Sequence, residues 1–222
     1  MGFIKIKSHA KINLVLNITG KQKKLHKIES IVSFIDLHDL IFIKYSNIVN
    51  HKILFYGKFS KNISQNNTVN KLFKILNNYN LLKNKKFNVK IKKNIPQEAG
   101  LGGGSMNASN ILSFLIKKKI IKIDNNLITK ICNLIGSDVI LGINKKSTIL
   151  KTNRDVKRFT SCPKFYTLLV RPNFGCSTKK IYSGVTKITK PKLDYPKKNM
   201  FNQYFLSKQE NALEQIAFSK YP

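Results

Sequence analysis

The sequence has no tryptophan, few cysteines and no long apolar run. Its three cysteines, Cys132, Cys162 and Cys176, are widely separated and form no CxxC pair. This spacing argues against a disulfide framework or a zinc finger and predicts reduced thiols, as in a cytoplasmic protein. No apolar run approaches the roughly 20 residues of a membrane span. The N-terminal stretch MGFIKIKSHAKINLVLNI contains lysines and asparagines that argue against a signal peptide, so we expect no membrane segment.

Acidic residues are also scarce, with 10 Asp and Glu against 41 Lys and Arg and a net charge of +31. Such an excess is typical of nucleic-acid binding. Only Arg154, Arg158 and Arg171 are arginine, however, and nucleic-acid surfaces favour arginine for its planar fork of donors. The lysines are spread along the chain beside abundant Asn and Ile, as in proteins encoded by A- and T-rich genomes. We therefore expect no specific nucleic-acid partner, and the charge favours a phosphate-bearing substrate.

Apolar periodicity predicts alternating strands and helices. The predicted strands are residues 3–7, 12–18, 28–36, 39–46, 86–92, 147–152 and 165–172, with a turn at His38–Asp39. The predicted helices are residues 67–80, 105–119, 125–135, 178–185 and 205–218. This order predicts an α+β or α/β fold in two lobes, with a seam near residues 153–163.

The segment EAGLGGGSMNAS, residues 98–109, holds four glycines within five positions. It follows a predicted strand and Pro96 and precedes a predicted helix. Backbone N–H groups and the positive end of the helix dipole would converge there and bind a phosphate. A Walker A loop would need a lysine before Ser105, and a dinucleotide fingerprint would need a third glycine at that position. A plain helix entry with adaptable glycines remains the alternative.

IPQEAGLGGGSMNAS, residues 95–109, resembles the P-x-x-x-G-L-G-[GS]-[GS]-S motif of the GHMP kinases. The resemblance implies an ATP phosphate loop, with ATP and Mg²⁺ as cofactors and Ser105 as a candidate Mg²⁺ ligand. The ATP-binding residues that it implies are Pro96, Gly100, Leu101, Gly102, Gly103, Gly104, Ser105, Asn107, Asn67 and Lys93.

Residues 10–39 (AKINLVLNITGKQKKLHKIESIVSFIDLHD) and 134–143 (LIGSDVILGI) narrow the resemblance. They are similar to segments of those GHMP kinases that phosphorylate the 2-hydroxyl of 4-diphosphocytidyl-2-C-methyl-D-erythritol in the non-mevalonate isoprenoid pathway. The implied fold has an N-terminal ribosomal-protein-S5-like domain, residues 1–155. The beginning of a C-terminal α/β domain, residues 156–222, follows it.

The same resemblance assigns roles to individual residues. Lys11 and Asp138 are the implied catalytic pair: the aspartate takes the hydroxyl proton, while the lysine keeps it ionised and orients the hydroxyl. His26 would read the edge of the cytosine, and Tyr182 would stack on its ring. The implied substrate-binding residues are Asn13, His26, Thr178 and Tyr182.

The chain departs from the family pattern at several positions. Leu25 replaces the tyrosine before the histidine, and Ala212 replaces an acidic residue near the C-terminus. The family has a second glycine loop near its C-terminus. This sequence ends at SKYP without such a loop, so we expect a truncated chain with an incomplete C-terminal domain. Another GHMP kinase, or an inactive homologue or basic module that only binds nucleotide or nucleic acid, remain the alternatives. We expect a monomer or homodimer.

Overall fold

The computed structural model describes residues 2–22 and 25–221, and the side chains of Gln22, Leu25 and Lys179 lie outside that description. The strands are β1 (Ile4–Gln22), β2 (Leu25–Ser46), β3 (Lys52–Tyr56), β4 (Lys86–Lys92), β5 (Ser147–Leu150) and β6 (Val156–Phe159). The helices are α1 (Thr68–Asn78), α2 (Gly103–Lys117), α3 (Asn125–Ile135), α4 (Thr178–Ser183), α5 (Gln203–Ser207) and α6 (Glu214–Lys220). Two 3₁₀ segments, Val139–Ile143 and Lys198–Phe201, complete the elements. The strands and helices interleave as predicted.

The described residues form two compact units, each built from separate stretches of chain. The first contains residues 2–10, 36–97 and 101–145, and the second contains residues 11–22, 25–35, 98–100 and 146–221. Because β1 and β2 are long strands, each contributes residues to both units. The division into domains 1–155 and 156–222 stays a prediction.

In the first unit, β4 pairs in parallel with β3 and antiparallel with β2, from Leu40 opposite Lys92 to Ser46 opposite Lys86. Helices α1 to α3 bury their apolar faces in the core of this unit. The predicted core face of α1, comprising Val69, Leu72, Phe73 and Leu76, is buried. This confirms the helical periodicity of that segment.

In the second unit, β5 pairs antiparallel with both β2 and β6. The centre of its core comprises Val15, Ile31, Ile149, Leu193 and Phe201. Within the part of the chain that the structure describes, no helix is both long and apolar enough to cross a membrane.

Three secondary-structure predictions are wrong. The turn at His38–Asp39 does not form, because β2 continues through these residues and pairs with β4 immediately beyond them. Residues 165–172 form no strand, and side chains such as Tyr166 and Leu168 are exposed there.

The predicted helix at residues 205–218 is two helices, α5 and α6. Leu16 of β1 donates its N–H to the carbonyl of Glu210 and accepts the N–H of Ala212. Because these backbone groups between α5 and α6 bond to a strand, they are not available for helical hydrogen bonds. A continuous helix therefore does not form there. The short strands β3 and β6 were not predicted.

Candidate functional site

The glycine-rich loop leads into α2, which begins at Gly103. Gly102 is its N-cap residue and has φ +65°, while Gly100 and Glu98 have φ +69° and +52°. Successive N–H groups converge on a common anion where right-handed and left-handed residues alternate along the backbone. The left-handed residues at positions 98, 100 and 102 provide one half of that pattern. Glycine adopts this conformation without steric cost, which explains the glycines at positions 100 and 102.

The start of α2 differs from the starts of α1 and α3. The Asn67 side chain caps α1 by accepting the N–H groups of Val69 and Asn70, and Asp124 caps α3 by accepting that of Leu127. The N-cap of α2 is a glycine, which has no side chain to serve this purpose. The N–H groups of its first turn are therefore suited to an external acceptor such as phosphate.

Asp39 lies in the first unit and positions the residues just before the loop and in the first turns of α2. Its carboxylate accepts hydrogen bonds from the backbone N–H groups of Asn94 and Ile95, from the Asn107 side-chain amide and from the Lys93 ammonium. Asp39, Lys93 and Asn107 are all buried. Lys93 and Asn107, which were predicted to bind ATP, thus both donate hydrogen bonds to Asp39, whose role the sequence analysis missed.

This cluster touches the first turn of α2 closely. A Cβ at Gly103 would lie 3.2 Å from Lys93 Nζ and 3.0 Å from Ile95 Cγ2. A larger residue would therefore require Ile95 and Lys93, which follow β4, to shift. On the other side of the turn, the Thr68 hydroxyl donates a 2.6 Å hydrogen bond to the Gly104 carbonyl. This bond ties the beginning of α1, where Asn67 lies, to the loop.

Ser105 lies in the first turn of α2, and its hydroxyl faces the segment that contains Asp138. Its Oγ is 3.9 Å from where a Cβ on Gly136 would lie. Asp138 is partly buried and precedes the 3₁₀ segment, but its side chain makes no capping bond to that segment. Gly142 packs tightly on α2, because a Cβ there would lie 2.7 Å from Ser109 Oγ. The Asp138 segment is therefore held against α2.

In the second unit, Lys11 begins a chain of buried and partly buried hydrogen bonds. Its Nζ donates to Asn13 Oδ1 at 2.6 Å, and Asn13 Nδ2 donates to Ser30 Oγ at 2.7 Å. Ser30 Oγ in turn donates to the Val15 carbonyl at 2.6 Å. Lys11 is only 6% exposed, so this lysine is an ordered interior group and not a surface charge. The structure thus joins two predicted residues, Lys11 and Asn13.

His26 and Tyr182 also meet in the second unit. Their ring centroids are 5.4 Å apart and their planes are tilted by 33°. The Nε2 atom of His26 is buried and has no hydrogen-bond partner among the described residues. A buried polar atom of this kind is costly unless a ligand or water pairs with it. Thr178, at the beginning of α4, is exposed.

Two buried acidic residues escaped the sequence analysis, Asp39 and Glu29. Glu29 accepts hydrogen bonds from Asn17 Nδ2 and from the N–H groups of Lys192 and Leu193. Both acids lie within apolar strand sequences of a chain that has few acids. This position in the sequence could have identified both residues as buried hydrogen-bond acceptors, since a carboxylate in an apolar strand needs donors around it.

The residues 67–146 match the GHMP kinases N terminal domain. The chain is 57% identical over 222 residues to the 4-diphosphocytidyl-2-C-methyl-D-erythritol kinase of Pelagibacter ubique (strain HTCC1062), covering all of this chain and 79% of that relative. It is 36% identical over 222 residues to the enzyme of the same name from Fusobacterium nucleatum, covering 95% of this chain and 75% of that relative.

A solved structure of 4-(cytidine 5'-diphospho)-2C-methyl-D-erythritol kinase has the same fold. It superimposes with a TM-score of 0.71 at 19% identity, over 99% of this chain and 79% of that one. The predicted GHMP kinase fold is thereby confirmed. The 57% identity over all 222 residues establishes the family as well as the fold. The chain belongs to the 4-diphosphocytidyl-2-C-methyl-D-erythritol kinase family of GHMP kinases.

Proposed function

We propose that this chain transfers the γ-phosphoryl group of ATP to the 2-hydroxyl of 4-diphosphocytidyl-2-C-methyl-D-erythritol. The observation that carries the proposal is the glycine-capped beginning of α2. A helix N-terminus without a side-chain cap, preceded by left-handed backbone at residues 98, 100 and 102, suits a bound polyphosphate. The family to which the chain belongs supports the choice of phosphate donor and acceptor.

In this proposal the loop from Pro96 to Ser105 holds the ATP phosphates through its backbone N–H groups. Lys93 and Asn107, which both donate hydrogen bonds to Asp39, are the proposed side-chain contributors next to this loop. Asn67 supports the nucleotide site through its cap on α1 and the neighbouring Thr68 bond to Gly104. The net charge of +31 further favours a substrate pair with several phosphates.

Asp138 is the proposed general base, and Lys11 the residue that keeps it ionised and orients the acceptor hydroxyl. Phosphoryl transfer depends mainly on positioning and on stabilising charge, so a base in contact with the hydroxyl completes the requirement. An ammonium has three donors, so Lys11 can serve more than one acceptor besides Asn13. Lys11 and Asp138 belong to different compact units.

Tyr182 and His26 are the proposed cytosine-binding residues, with Asn13 and Thr178 contacting the rest of the substrate. Stacking of a base on an aromatic side chain tolerates many geometries, and Tyr182 supplies such a face. The buried Nε2 of His26 offers one directed hydrogen bond to the edge of the base. A pyrimidine ring would thus satisfy the polar atom that the described residues leave unpaired.

The Ser105 hydroxyl fits Mg²⁺, which takes oxygen ligands and usually keeps waters and substrate phosphates around it. Bound there, the ion would neutralise charge on the phosphates of ATP. None of the three described cysteines forms a disulfide, and reduced thiols support a cytoplasmic location. The proposal includes a monomer or homodimer without a specific nucleic-acid partner.

A coupled ADP-release assay tests this function. The acceptors are 4-diphosphocytidyl-2-C-methyl-D-erythritol, homoserine and mevalonate, each with ATP and Mg²⁺, and the Pelagibacter ubique relative serves as positive control. We expect turnover with the cytidyl acceptor alone. Turnover with homoserine or mevalonate would assign a different GHMP reaction. Absence of turnover while the control is active would overturn the proposal in favour of a nucleotide-binding homologue.

A further inference from the structure

A group of three side chains outside the proposed kinase site has the composition of a metal centre. His9 lies on β1, and Asp36 and His38 lie on β2, all within the first unit. One ligand atom from each residue can be chosen so that all three lie within 4.8 Å of one another. Among the residues that the structure describes, this is the group of His, Cys, Asp and Glu that meets this condition.

The two imidazoles face each other across the group. Their centroids are 5.1 Å apart with a tilt of 40°, and His9 Nδ1 is 3.9 Å from Asp36 Oδ1. Asp36 is fully exposed, while His9 is about one tenth exposed. The His9 ring is therefore held by its burial, and the carboxylate can rotate to meet a shared ligand.

The hydrogen bond of His38 determines which of its nitrogen atoms can bind a metal. Its Nδ1 lies 2.6 Å from the Asp36 carbonyl oxygen. A carbonyl only accepts, so Nδ1 carries the proton and Nε2 carries the lone pair. Metal-binding histidines characteristically donate their other N–H to a carbonyl or carboxylate, which fixes the ring and raises its basicity. His38 is thus already oriented as a ligand.

We propose that His9, Asp36 and His38 bind a borderline divalent transition-metal ion of the Zn²⁺ class. Zinc bonds to imidazole nitrogen and carboxylate oxygen are about 2.0–2.2 Å long, which places tetrahedral ligand atoms about 3.3 Å apart. Rotation of the exposed Asp36 side chain and small shifts of the rings close the group to that size. Three protein ligands leave the fourth position for water.

The surroundings distinguish this ion from Mg²⁺ or Ca²⁺. Lys7 and Lys145 lie close enough to interact electrostatically with each other, and Asp36 interacts with Lys145. Because this field is not strongly negative, binding depends on coordinate bonds, and the group that the structure describes supplies one carboxylate where the hard cations need several oxygen ligands. Coordinate bonds from two imidazoles favour Zn²⁺, Co²⁺, Ni²⁺ or Cu²⁺ instead.

The test uses the full chain without an affinity tag and titrates it with Zn²⁺ by calorimetry and with Co²⁺ by visible absorption. Thiolate ligation of Co²⁺ gives an intense near-ultraviolet band, so the spectrum separates this site from the cysteines. The variants are Asp36→Asn and His38→Gln, with Asp155→Asn and His51→Gln as matched controls outside the group. We expect each cluster variant to weaken binding at least about tenfold.

The controls should bind as the unmodified chain does, and Mg²⁺ or Ca²⁺ should not compete. Zn²⁺ should also raise the melting temperature of the unmodified chain more than that of Asp36→Asn, because binding to the folded state adds stability. Asp36 is exposed, so its replacement tests ligation without endangering the fold. Unchanged affinity in Asp36→Asn and His38→Gln, or a thiolate spectrum, would overturn the proposal.

Discussion

Lys93 and Asp39 form an ion pair in which neither side chain is more than 5% exposed. A buried pair of opposite charges is costly to break, because removing one partner leaves the other charge without water or a counter-charge. The pair lies directly beneath the first turn of α2, where Gly103 allows close approach to Lys93. Its integrity should therefore govern both the stability of the first unit and the shape of the glycine loop.

Asp39→Asn should reduce the free energy of unfolding by about 3–5 kcal/mol, since the Lys93 ammonium would be left buried and unpaired. Urea denaturation followed by circular dichroism measures this change. The double variant Asp39→Asn, Lys93→Met removes both charges and should recover much of the loss. Simple addition of the two single effects would contradict a specific pair.

Asp138→Asn should lower turnover by about 10²–10⁴-fold while ATP affinity stays nearly unchanged, because a general base acts on the acceptor hydroxyl. Steady-state ADP release gives the turnover, and a fluorescent ATP analogue gives the affinity. Asp155→Asn, an exposed aspartate paired with Lys151, is the matched control. Unchanged turnover in Asp138→Asn would remove this residue from the base role.

Gly102→Val should abolish detectable ATP binding. Valine adds a branched side chain at the proposed phosphate site, and it also strains a backbone position with φ +65°. Gly102→Asn separates the two causes, because asparagine tolerates left-handed backbone far better than valine does. Loss of affinity in both variants identifies steric exclusion of phosphate, whereas loss in valine alone identifies strain. Undiminished binding in both would refute the phosphate loop.

Tyr182→Leu should raise the KM for the cytidyl substrate about 5- to 150-fold, which corresponds to the loss of about 1–3 kcal/mol of base stacking. Tyr182→Phe keeps the ring and should remain near the unmodified value. The KM for ATP should not change in either variant. An equal rise for leucine and phenylalanine would indicate that the hydroxyl, and not the ring face, contacts substrate.

The free energy of unfolding should fall as pH drops below 6.5, and His51 should account for part of this fall. Burial lowers the pKa of His51 from 6.5, with Lys86 adding to the effect and a hydrogen bond to Asn77 opposing it. Below pH 6.5 the unfolded chain takes up a proton that folded His51 resists, so acid favours unfolding until the folded pKa is passed. Urea denaturation of the unmodified chain and His51→Gln, from about pH 8 to about pH 5.5, measures the difference. Parallel curves for the two proteins would exclude His51.

Local periodicity was enough to predict the regular elements whose apolar faces repeat clearly. Helix α3 and strand β4 begin and end at the predicted residues, and α1 buries its predicted face. Prediction was wrong where long-range hydrogen bonds compete with local preference. The break between α5 and α6 depends on backbone bonds to Leu16, almost two hundred residues earlier in the chain.

The sequence by itself determined the glycine loop, the family and the candidate residues, because these depend on residue types at short spacing. Tertiary structure alone decided that Asp39 gathers Lys93 and Asn107, that His26 meets Tyr182 and that His9 faces Asp36 and His38. These partners are separated by many residues or lie on different strands. Their meeting depends on strand register and burial, which follow from packing of the whole chain and not from any local pattern.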